Sequence, residues 1–332
     1  MHRVAILGGG GMGTAMAMVL ARAGAEVRLW VREPDRAREM AETRRNVRHL
    51  PEVVIPESVG ITGDPAEAVA GATLLVASIP TTYLRPTLAS IAASVPADVP
   101  ALSVVKGIEF GTFARPTRII AECLGPRETA VLTGPSHAEE LARGLPASLV
   151  VAGPSAEFCE SIQSAFSNES FRIYRNDDAV GAEVAGALKN ILGIAAGVCD
   201  GLEIGDNAKA ALLTRGLVEI ARMGVRLGGR LSTFYGLAGV GDVVTTCFSP
   251  FGRNREVGAR IGRGESLQTI LNDMANVSEG VPTIRSVHAL ALQLGVDMPI
   301  THELHQVLFE GKYPRAAVVD LMTRTPKDEA QL

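Results

Sequence analysis

The sequence predicts an α/β fold, in which an N-terminal doubly wound parallel sheet is followed by an all-α C-terminal domain. Three observations predict it. Short runs rich in valine, isoleucine and leucine alternate with helical stretches as far as Arg175, a glycine-rich loop follows the first run, and only helical stretches follow Arg175. Apolar strands that alternate with helices are typical of parallel sheets covered on both faces.

Eight candidate strands lie in the first half of the chain. Helical stretches such as GTAMAMVLARAGA and EPDRAREMAETRRNV separate them, which is the pattern of consecutive strand–helix units. The candidate strands are residues 3–7, 26–31, 59–62, 74–79, 101–105, 129–133, 147–152 and 171–175.

The second half of the chain has a helical pattern throughout. A chain of 332 residues usually exceeds one hydrophobic core, so we expect two domains, residues 1–176 and 177–332. A glycine-rich break at 236–242 interrupts the helices. The candidate helices are residues 180–200, 207–228, 254–263, 266–275, 281–294, 300–310 and 315–323.

Composition and charge exclude several function classes. The net charge is −4, so no overall basic field attracts nucleic acid or an anionic membrane. No apolar run reaches the roughly 18 residues of a membrane span, and the apolar start of the chain is too short for a signal peptide. We therefore expect a cytoplasmic protein with no nucleic-acid partner and no membrane span.

Cysteines and histidines do not indicate a metal site. The four cysteines lie far apart with no CxxC spacing, which also argues against a disulfide framework. His302 and His305 share one face of a candidate helix, but two ligands without a third are more typical of a surface helix. We expect no bound metal.

The stretch VAILGGGGMGTAMA places Gly8, Gly10 and Gly13 in the G-x-G-x-x-G register between a strand and a helix. The first glycine makes the tight turn, the second admits a pyrophosphate to the backbone, and the third allows close packing of helix and sheet. The helix N-terminus also attracts phosphates through its free N–H groups and its dipole. We expect a Rossmann-type dinucleotide site here; the alternative is a glycine-rich turn without a ligand.

The end of the second strand should distinguish NADP from NAD. An NAD site usually places Asp or Glu there for the ribose 2′-hydroxyl, whereas an arginine can bind the 2′-phosphate of NADP. The chain reads LWVREPDR, with Arg32 in the expected region and Glu33 directly after it. The hypothesis is NADP use through Arg32, with NAD also accepted. In the alternative, Arg32 is a solvated arginine and Glu33 binds the ribose.

Two later strands end in polar residues, at the sheet edge where open α/β sheets bind ligands. SVVKGIE ends one strand with Lys106, and LTGPSHAEE ends the next with Gly134 and Ser136 close behind it. We expect these groups to face the cofactor crevice. His137 in the same loop is either a candidate general base or a helix-capping residue.

Lys189 is the single lysine of the apolar stretch VGAEVAGALKNILGIAAGVCD. Its helical neighbours are small or apolar, and glycines in a helix interior cost roughly 1 kcal/mol each unless something approaches closely. One interpretation is that the methylenes pack and the ammonium reaches water. The other is that a desolvated lysine exchanges protons with a substrate near neutral pH, as a nicotinamide site requires.

The motifs resemble a known family over almost the whole chain. The stretches GGGGMGTA, VKGIE, GPSHAEELARGLP, KNILGIAAGVCDGLEIGDNAKAALLTRGLVEI, GLAGVGDVVTTC, GRNREVG, VSEGVPT and MPITHELHQVLFEG are similar to bacterial NAD(P)-dependent glycerol-3-phosphate dehydrogenases. The resemblance implies reversible hydride transfer between NAD(P)H and dihydroxyacetone phosphate, which makes sn-glycerol 3-phosphate for phospholipid synthesis. It also implies a homodimer.

The resemblance implies roles for individual residues. Lys189 matches the catalytic proton acceptor, and Lys106 matches a lysine that contacts both cofactor and substrate. The implied substrate contacts are Lys106, Gly134, Ser136, Lys189, Asp242, Gly252, Arg253 and Asn254. Together with the glycine loop, the expected cofactor contacts are Gly8, Gly10, Gly11, Met12, Gly13, Arg32, Lys106, Ala138, Arg253, Val277 and Glu279.

One position departs from the pattern of the family. Many members carry a serine directly before the Arg-Asn pair, where this chain has Gly252. A side-chain contact to the substrate phosphate is therefore missing at this position, and only the backbone N–H can help there.

Two other functions remain as alternatives. A 3-hydroxyacid or 6-phosphogluconate type dehydrogenase also pairs a dinucleotide domain with a helical domain and a lysine, but it requires a carboxylate site. A non-catalytic NADP-sensing module would need the glycine loop without Lys189, Asp242, Arg253 and Asn254 together.

Overall fold

The computed structural model of the chain describes residues 3–274, 278–326 and 328–329. It divides into two compact units. Unit 1 comprises Met1–Lys106 and Ala114–Ala179, and unit 2 comprises Gly107–Phe113 and Val180–Leu332. The short segment 107–113 thus groups with the helical residues, although the chain on both sides of it belongs to unit 1.

Unit 1 is built on one eight-stranded sheet with the order β3-β2-β1-β4-β5-β6-β7-β8. Its strands are β1 Arg3–Leu7, β2 Glu26–Trp30, β3 Val59–Thr62, β4 Leu74–Ala77, β5 Ala101–Ser103, β6 Thr129–Thr133, β7 Ala147–Ala152 and β8 Phe171–Asn176. All eight lie at the positions expected from the sequence, but β2, β4 and β5 end one or two residues earlier.

The doubly wound fold class is confirmed, with one exception to parallel pairing. β6 and β7 are antiparallel, with Leu132 opposite Val151, whereas every other neighbouring pair is parallel. The connection between them contains only a six-residue helix, Ala138–Arg143. Such a helix is about 9 Å long, too short to return the chain along β6, so β7 starts from the same end at which β6 finishes.

Helices cover both faces of the sheet. Alternate residues of β1 enter different apolar clusters, with Val4 and Ile6 on one face and Ala5 and Leu7 on the other. Because both faces are buried, the strands are apolar throughout. The helices of unit 1 are α1 Gly11–Arg22, α2 Pro34–Thr43, α3 Pro65–Val69, α4 Thr81–Ile91, α5 Pro116–Leu124, α6 Ala138–Arg143 and α7 Ala156–Phe166, with a 3-10 turn at Ala92–Ser94.

Unit 2 is helical, as the sequence predicts. The glycine-rich break forms a π-helical turn at Leu237–Gly241. The helices are α8 Ala179–Leu202, α9 Gly205–Arg226, α10 Leu231–Phe234, α11 Asp242–Phe248, α12 Arg253–Gly262, α13 Leu267–Asp273, α14 Gly280–Leu294, α15 Pro299–Phe309 and α16 Pro314–Met322.

Helix α8 is the core helix of this unit. Within the described residues it alone is long and apolar enough to cross a membrane by length and composition, so the expectation that no apolar run reaches this length was wrong. Its 18-residue apolar window is entirely buried inside the protein, which is what a core helix also shows. Its length and apolar character are therefore explained by packing.

Glycines bring α8 and α12 into direct backbone contact. We call Gly197 and Gly201 of α8, with Gly258 and Gly262 of α12, the glycine seam. A Cβ at Gly197 would lie 2.0 Å from the carbonyl oxygen of Arg255, and one at Gly258 would lie 2.0 Å from that of Ile194. No side chain fits there, so the helical cost of these glycines is offset by a close approach that only glycine permits.

A buried carboxylate holds the start of α15. Glu219 of α9 is 3% exposed, and it accepts hydrogen bonds from the backbone N–H groups of Ile300 (2.8 Å) and Thr301 (2.9 Å) and from the Thr301 hydroxyl (2.6 Å). It therefore caps the first turn of the helix. Burial raises the pKa of Glu219 to about 7, against the opposing effect of these hydrogen bonds.

This raised pKa predicts a pH-dependent stability. Because the folded-state pKa exceeds the unfolded value of 4.5, the contribution of Glu219 to stability is complete below that value and is lost as pH rises through about 7. The unfolding free energy of the wild type, relative to Glu219→Gln, should therefore fall by about 3 kcal/mol from acid to neutral pH.

Urea denaturation of both proteins across this pH range measures the difference. The variant Glu42→Gln, at an exposed position of α2, controls for the general effect of removing a carboxylate. A difference between Glu219→Gln and the wild type that stays constant with pH would contradict the assignment.

Candidate functional site

The glycine loop joins β1 to α1. A Cβ at Gly13 would lie 1.9 Å from the carbonyl oxygen of Gly8, and Gly8 itself has a φ of +121°. The turn therefore requires glycine at position 8, and close packing requires it at position 13. At Gly10, apart from Gly10 itself and its two neighbours in the chain, no atom of the described residues lies within 4 Å of a Cβ position.

The open space at Gly10 lies directly before the first turn of α1. Gly10 is the N-cap residue and provides no side-chain capping hydrogen bond. The N–H groups of this turn can thus be approached from the side of Gly10, and a Cβ there would fill the space. This cradle fits the pyrophosphate of a dinucleotide.

Two residues that the sequence analysis missed support the loop. Arg36 donates to the carbonyl oxygen of Gly9 (2.8 Å), and the Asn46 amide donates to the same oxygen (3.1 Å) and to the hydroxyl of Thr14 (2.8 Å). No motif marks either residue, because each reaches the loop from a distant part of the chain. Their contacts hold the loop against α1 and α2.

The expected cofactor residues of unit 1 lie around this loop. Gly11 lies beside Ala138, whose Cβ is 3.8 Å from the position of a Gly11 Cβ, and Met12 packs against the apolar cluster of the sheet. Arg32 follows β2 with its side chain 62% exposed, and its guanidinium lies 2.9 Å from the Glu33 carboxylate. The two residues that could select between NADP and NAD are therefore paired with each other.

The polar residues after β5 and β6 lie in contact with one another. The ammonium of Lys106 donates to the carbonyl oxygen of Gly134 (2.8 Å) and lies 2.9 Å from the hydroxyl oxygen of Ser136. Gly134 has a φ of +124°, which glycine adopts without strain. His137 is the N-cap residue of α6, but its side chain makes no capping hydrogen bond.

In unit 2, Lys189 lies against α11. Its ammonium is 3.1 Å from a carboxylate oxygen of Asp242 and donates to the hydroxyl of Thr246. Lys189 is 8% exposed and Asp242 is 1% exposed. This burial favours the interpretation of Lys189 as a desolvated lysine, and Asp242 provides the opposite charge that a buried ammonium requires.

Asn254 is fixed by three hydrogen bonds beside this pair. Its amide nitrogen donates to the side-chain oxygen of Asn190 (2.8 Å), and its oxygen accepts from the Ser278 hydroxyl (2.7 Å) and the backbone N–H of Gly280 (3.0 Å). The first turn of α12 is thus bound to α8 one residue from Lys189. A Cβ at Gly193, one turn further along α8, would lie 3.1 Å from the Cβ of Asn254.

Thr246 and Asn190 were not among the residues expected from the sequence. Thr246 could have been found, because it lies four residues after Asp242 on a helix and so shares its face. Asn190 directly follows Lys189, but its role depends on Asn254, which lies far away in the sequence.

The remaining expected residues lie at helix N-termini of unit 2. Gly252 is the N-cap residue of α12, and Arg253 is the exposed first residue of that helix. A Cβ at Gly252 would lie 2.8 Å from the carbonyl oxygen of Thr246, so a serine would require a local shift. Glu279 is the N-cap residue of α14. Val277 lies outside the described residues.

His302 and His305, which share a helix face, lie beside a third histidine, His288. Nε2 of His288 lies 3.0 Å from Nδ1 of His302, and the rings of His288 and His305 stack with their centroids 3.9 Å apart. Among residues 3–274, 278–326 and 328–329, no group of three or more His, Cys, Asp or Glu side chains is arranged to hold a metal ion.

A dinucleotide cradle in a doubly wound sheet and a buried lysine–carboxylate pair in a helical unit define an NAD(P)-dependent dehydrogenase. The sequence profile described as NAD-dependent glycerol-3-phosphate dehydrogenase N-terminus matches residues 3–159, and the profile for the C-terminus matches residues 178–319. The chain belongs to the NAD-dependent glycerol-3-phosphate dehydrogenase family.

Relatives and solved structures agree with this membership. A protein of Chlorobium phaeobacteroides named as an NAD(P)+ glycerol-3-phosphate dehydrogenase is 46% identical, over 98% of this chain and 99% of its own. A protein of Moorella thermoacetica with the same name is 44% identical over 99% and 98%. The crystal structure of glycerol-3-phosphate dehydrogenase from Coxiella burnetii matches with a TM-score of 0.93 at 37% identity, covering 97% of this chain and 99% of that one.

Proposed function

We propose that this protein interconverts sn-glycerol 3-phosphate and dihydroxyacetone phosphate with NAD(P), and that it serves phospholipid synthesis by making glycerol 3-phosphate. The observation that carries the proposal is the buried pair of Lys189 and Asp242, 3.1 Å apart, with Asn254 bound to α8 one residue away. A proton donor and a helix N-terminus with an arginine suit a small phosphorylated ketone. Family membership supports the same substrate.

Lys189 is the proposed acid and base. In reduction, its ammonium donates a hydrogen bond and then a proton to the oxygen on C2 of the substrate; in oxidation, the neutral amine accepts that proton. Asp242 and Thr246 orient the amine through the contacts described above. NAD(P), when bound, supplies the hydride exchange.

The proposed phosphate site is the first turn of α12. Arg253 offers a planar guanidinium for two phosphate oxygens, Asn254 adds an amide, and Gly252 adds a backbone N–H at the helix N-terminus. This N–H takes the place of the serine that many relatives have. Further proposed substrate contacts in unit 1 are Lys106, Gly134 and Ser136.

The proposed cofactor contacts follow from the cradle and the family. We assign the pyrophosphate to the loop that ends at Gly13 and the adenosine end to Arg32, with residues 1–176 as the dinucleotide-binding domain and 177–332 as the catalytic domain. The set comprises Gly8, Gly10, Gly11, Met12, Gly13, Arg32, Lys106, Ala138, Arg253, Val277 and Glu279.

We also propose a homodimer that works in the cytoplasm. Large apolar side chains are exposed on unit 2, among them Leu292, Tyr313 and Met322, and surface of this kind supports a subunit contact. Sedimentation of the purified protein tests this state: a monomer at micromolar concentration would contradict it.

The activity is tested by following NADPH absorbance after addition of dihydroxyacetone phosphate. Oxidation of NADPH with this substrate supports the proposal. Turnover of a 3-hydroxyacid or of 6-phosphogluconate instead would indicate the other dehydrogenase class, and NADPH binding without any turnover would indicate a sensing module.

Replacing Lys189 with methionine should lower kcat by at least about 100-fold, because a positioned acid–base group contributes that much or more. The Kd for NADPH, measured by fluorescence, should stay unchanged. Lys312→Met is the matched control, since Lys312 is also paired with carboxylates in unit 2, those of Glu303 and Asp320. A near-normal kcat in Lys189→Met would refute the assignment.

Replacing Arg32 with alanine should raise the KM for NADPH on the order of tenfold and leave the KM for NADH unchanged, because the charged contact to the 2′-phosphate is lost. Arg38→Ala serves as the control, since this exposed arginine of α2 is also paired with a carboxylate, that of Asp35. If Arg32→Ala keeps the cofactor preference of the wild type, the ribose is bound through Glu33 instead.

A further inference from the structure

One carboxylate near the end of α8 is bound by two cations from different helices. The Asp200 oxygens accept hydrogen bonds from Nζ of Lys209 in α9 (2.8 and 3.1 Å) and from Nε of Arg255 in α12 (2.6 Å). Lys209 is 6% exposed. Because a buried ammonium requires an opposite charge, this cluster is fixed as a unit.

Both cations also contact the segment that joins α11 to α12. Nζ of Lys209 lies 4.7 Å from the ring centroid of Phe248, the last residue of α11. The guanidinium of Arg255 lies 3.4 Å from the carbonyl oxygen of Ser249. The Asp200 cluster, meaning Asp200, Lys209 and Arg255, therefore contacts the start of this connection at Phe248 and Ser249, and its Arg255 lies in the first turn of α12 at the other end.

That connection sets the position of the proposed phosphate site. It begins after the helix of Asp242 and Thr246, and it leads through Gly252 to Arg253 and Asn254 at the start of α12. Space is narrow there, since a Cβ at Gly252 would lie 2.8 Å from the carbonyl oxygen of Thr246. A small displacement of this turn would move Arg253 relative to Lys189.

We propose that the Asp200 cluster is a positioning device for the phosphate-binding turn of residues 252–254. The inference rests on the proposal that Arg253 and Asn254 bind the substrate phosphate. Arg255 acts through the turn: its guanidinium is directed to Asp200 and Ser249, and it fixes the direction in which the preceding two residues present their side chains. A misplacement of about 1 Å can cost up to ~100-fold in rate.

The variant that separates positioning from stability is Arg255→Gln. It leaves Lys209 paired with Asp200, whereas Asp200→Asn would leave the Lys209 charge buried without its carboxylate and would destabilise the fold by about 3–5 kcal/mol. Arg260→Gln is the matched control. It removes an ion pair of the same helix, between Arg260 and the carboxylates of Glu265 and Asp273, at the opposite end from the phosphate turn.

The measurements are kcat, the KM values for dihydroxyacetone phosphate and NADPH, the inhibition constant of inorganic phosphate, and the melting temperature. In Arg255→Gln we expect the KM for dihydroxyacetone phosphate and the phosphate inhibition constant to rise together on the order of tenfold. We expect kcat to stay within about threefold and the KM for NADPH to stay unchanged. Arg255→Lys should recover part of the loss, and Arg260→Gln should change only the melting temperature.

Two results would overturn the inference. The first is a KM for dihydroxyacetone phosphate that rises no more in Arg255→Gln than in Arg260→Gln. The second is a fall in kcat as large as the rise in the KM values for both dihydroxyacetone phosphate and NADPH. Arg253→Ala in the same assay distinguishes the two proposals. If it leaves this KM unchanged, the phosphate assignment fails and the inference fails with it. If Arg253→Ala raises this KM and Arg255→Gln does not, the inference alone fails.

Discussion

The arrangement of unit 2 depends on the backbone contact between α8 and α12 at the glycine seam. A side chain at Gly197 or Gly258 would meet the backbone of the other helix at 2.0 Å. The contact brings the first turn of α12 beside the part of α8 that carries Lys189 and Asn190. Glycines that would weaken an isolated helix therefore determine how near the proposed phosphate ligands lie to the proposed acid.

Charge pairs at two levels of α8 complete this arrangement. Near the middle of the helix, Lys189 is paired with Asp242 of α11; near its end, Asp200 is paired with cations of α9 and α12. Removing one partner of a buried pair costs more than the pair contributes, because the remaining charge has no water to solvate it. The helices that bring the site residues together are thus held in one arrangement, which suits a site whose function depends on geometry.

Much of the fold could be predicted because periodicity and glycine spacing are local signals. They located all eight strands, most of the helices after Arg175 and the glycine loop of Gly8, Gly10 and Gly13, but not α10 or α11, which lie on either side of the glycine-rich break. Strand direction is not a local signal, so the antiparallel β7 was not expected. The surroundings of Lys189 could be predicted only in part for a similar reason: helical spacing shows the small and apolar neighbours on α8, whereas Asp242 comes from another helix 53 residues later.

The most direct test of this account is the activity of Gly258→Ala, compared with Gly60→Ala in β3, where a Cβ would make only ordinary contacts from 3.5 Å. The measurement is kcat/KM for dihydroxyacetone phosphate at a temperature at which circular dichroism shows both variants folded. We expect a loss of kcat/KM up to the order of 100-fold in Gly258→Ala, with an unchanged Kd for NADPH, and wild-type kcat/KM in Gly60→Ala. A folded Gly258→Ala with wild-type kcat/KM would contradict the claim that the seam sets the geometry of the site.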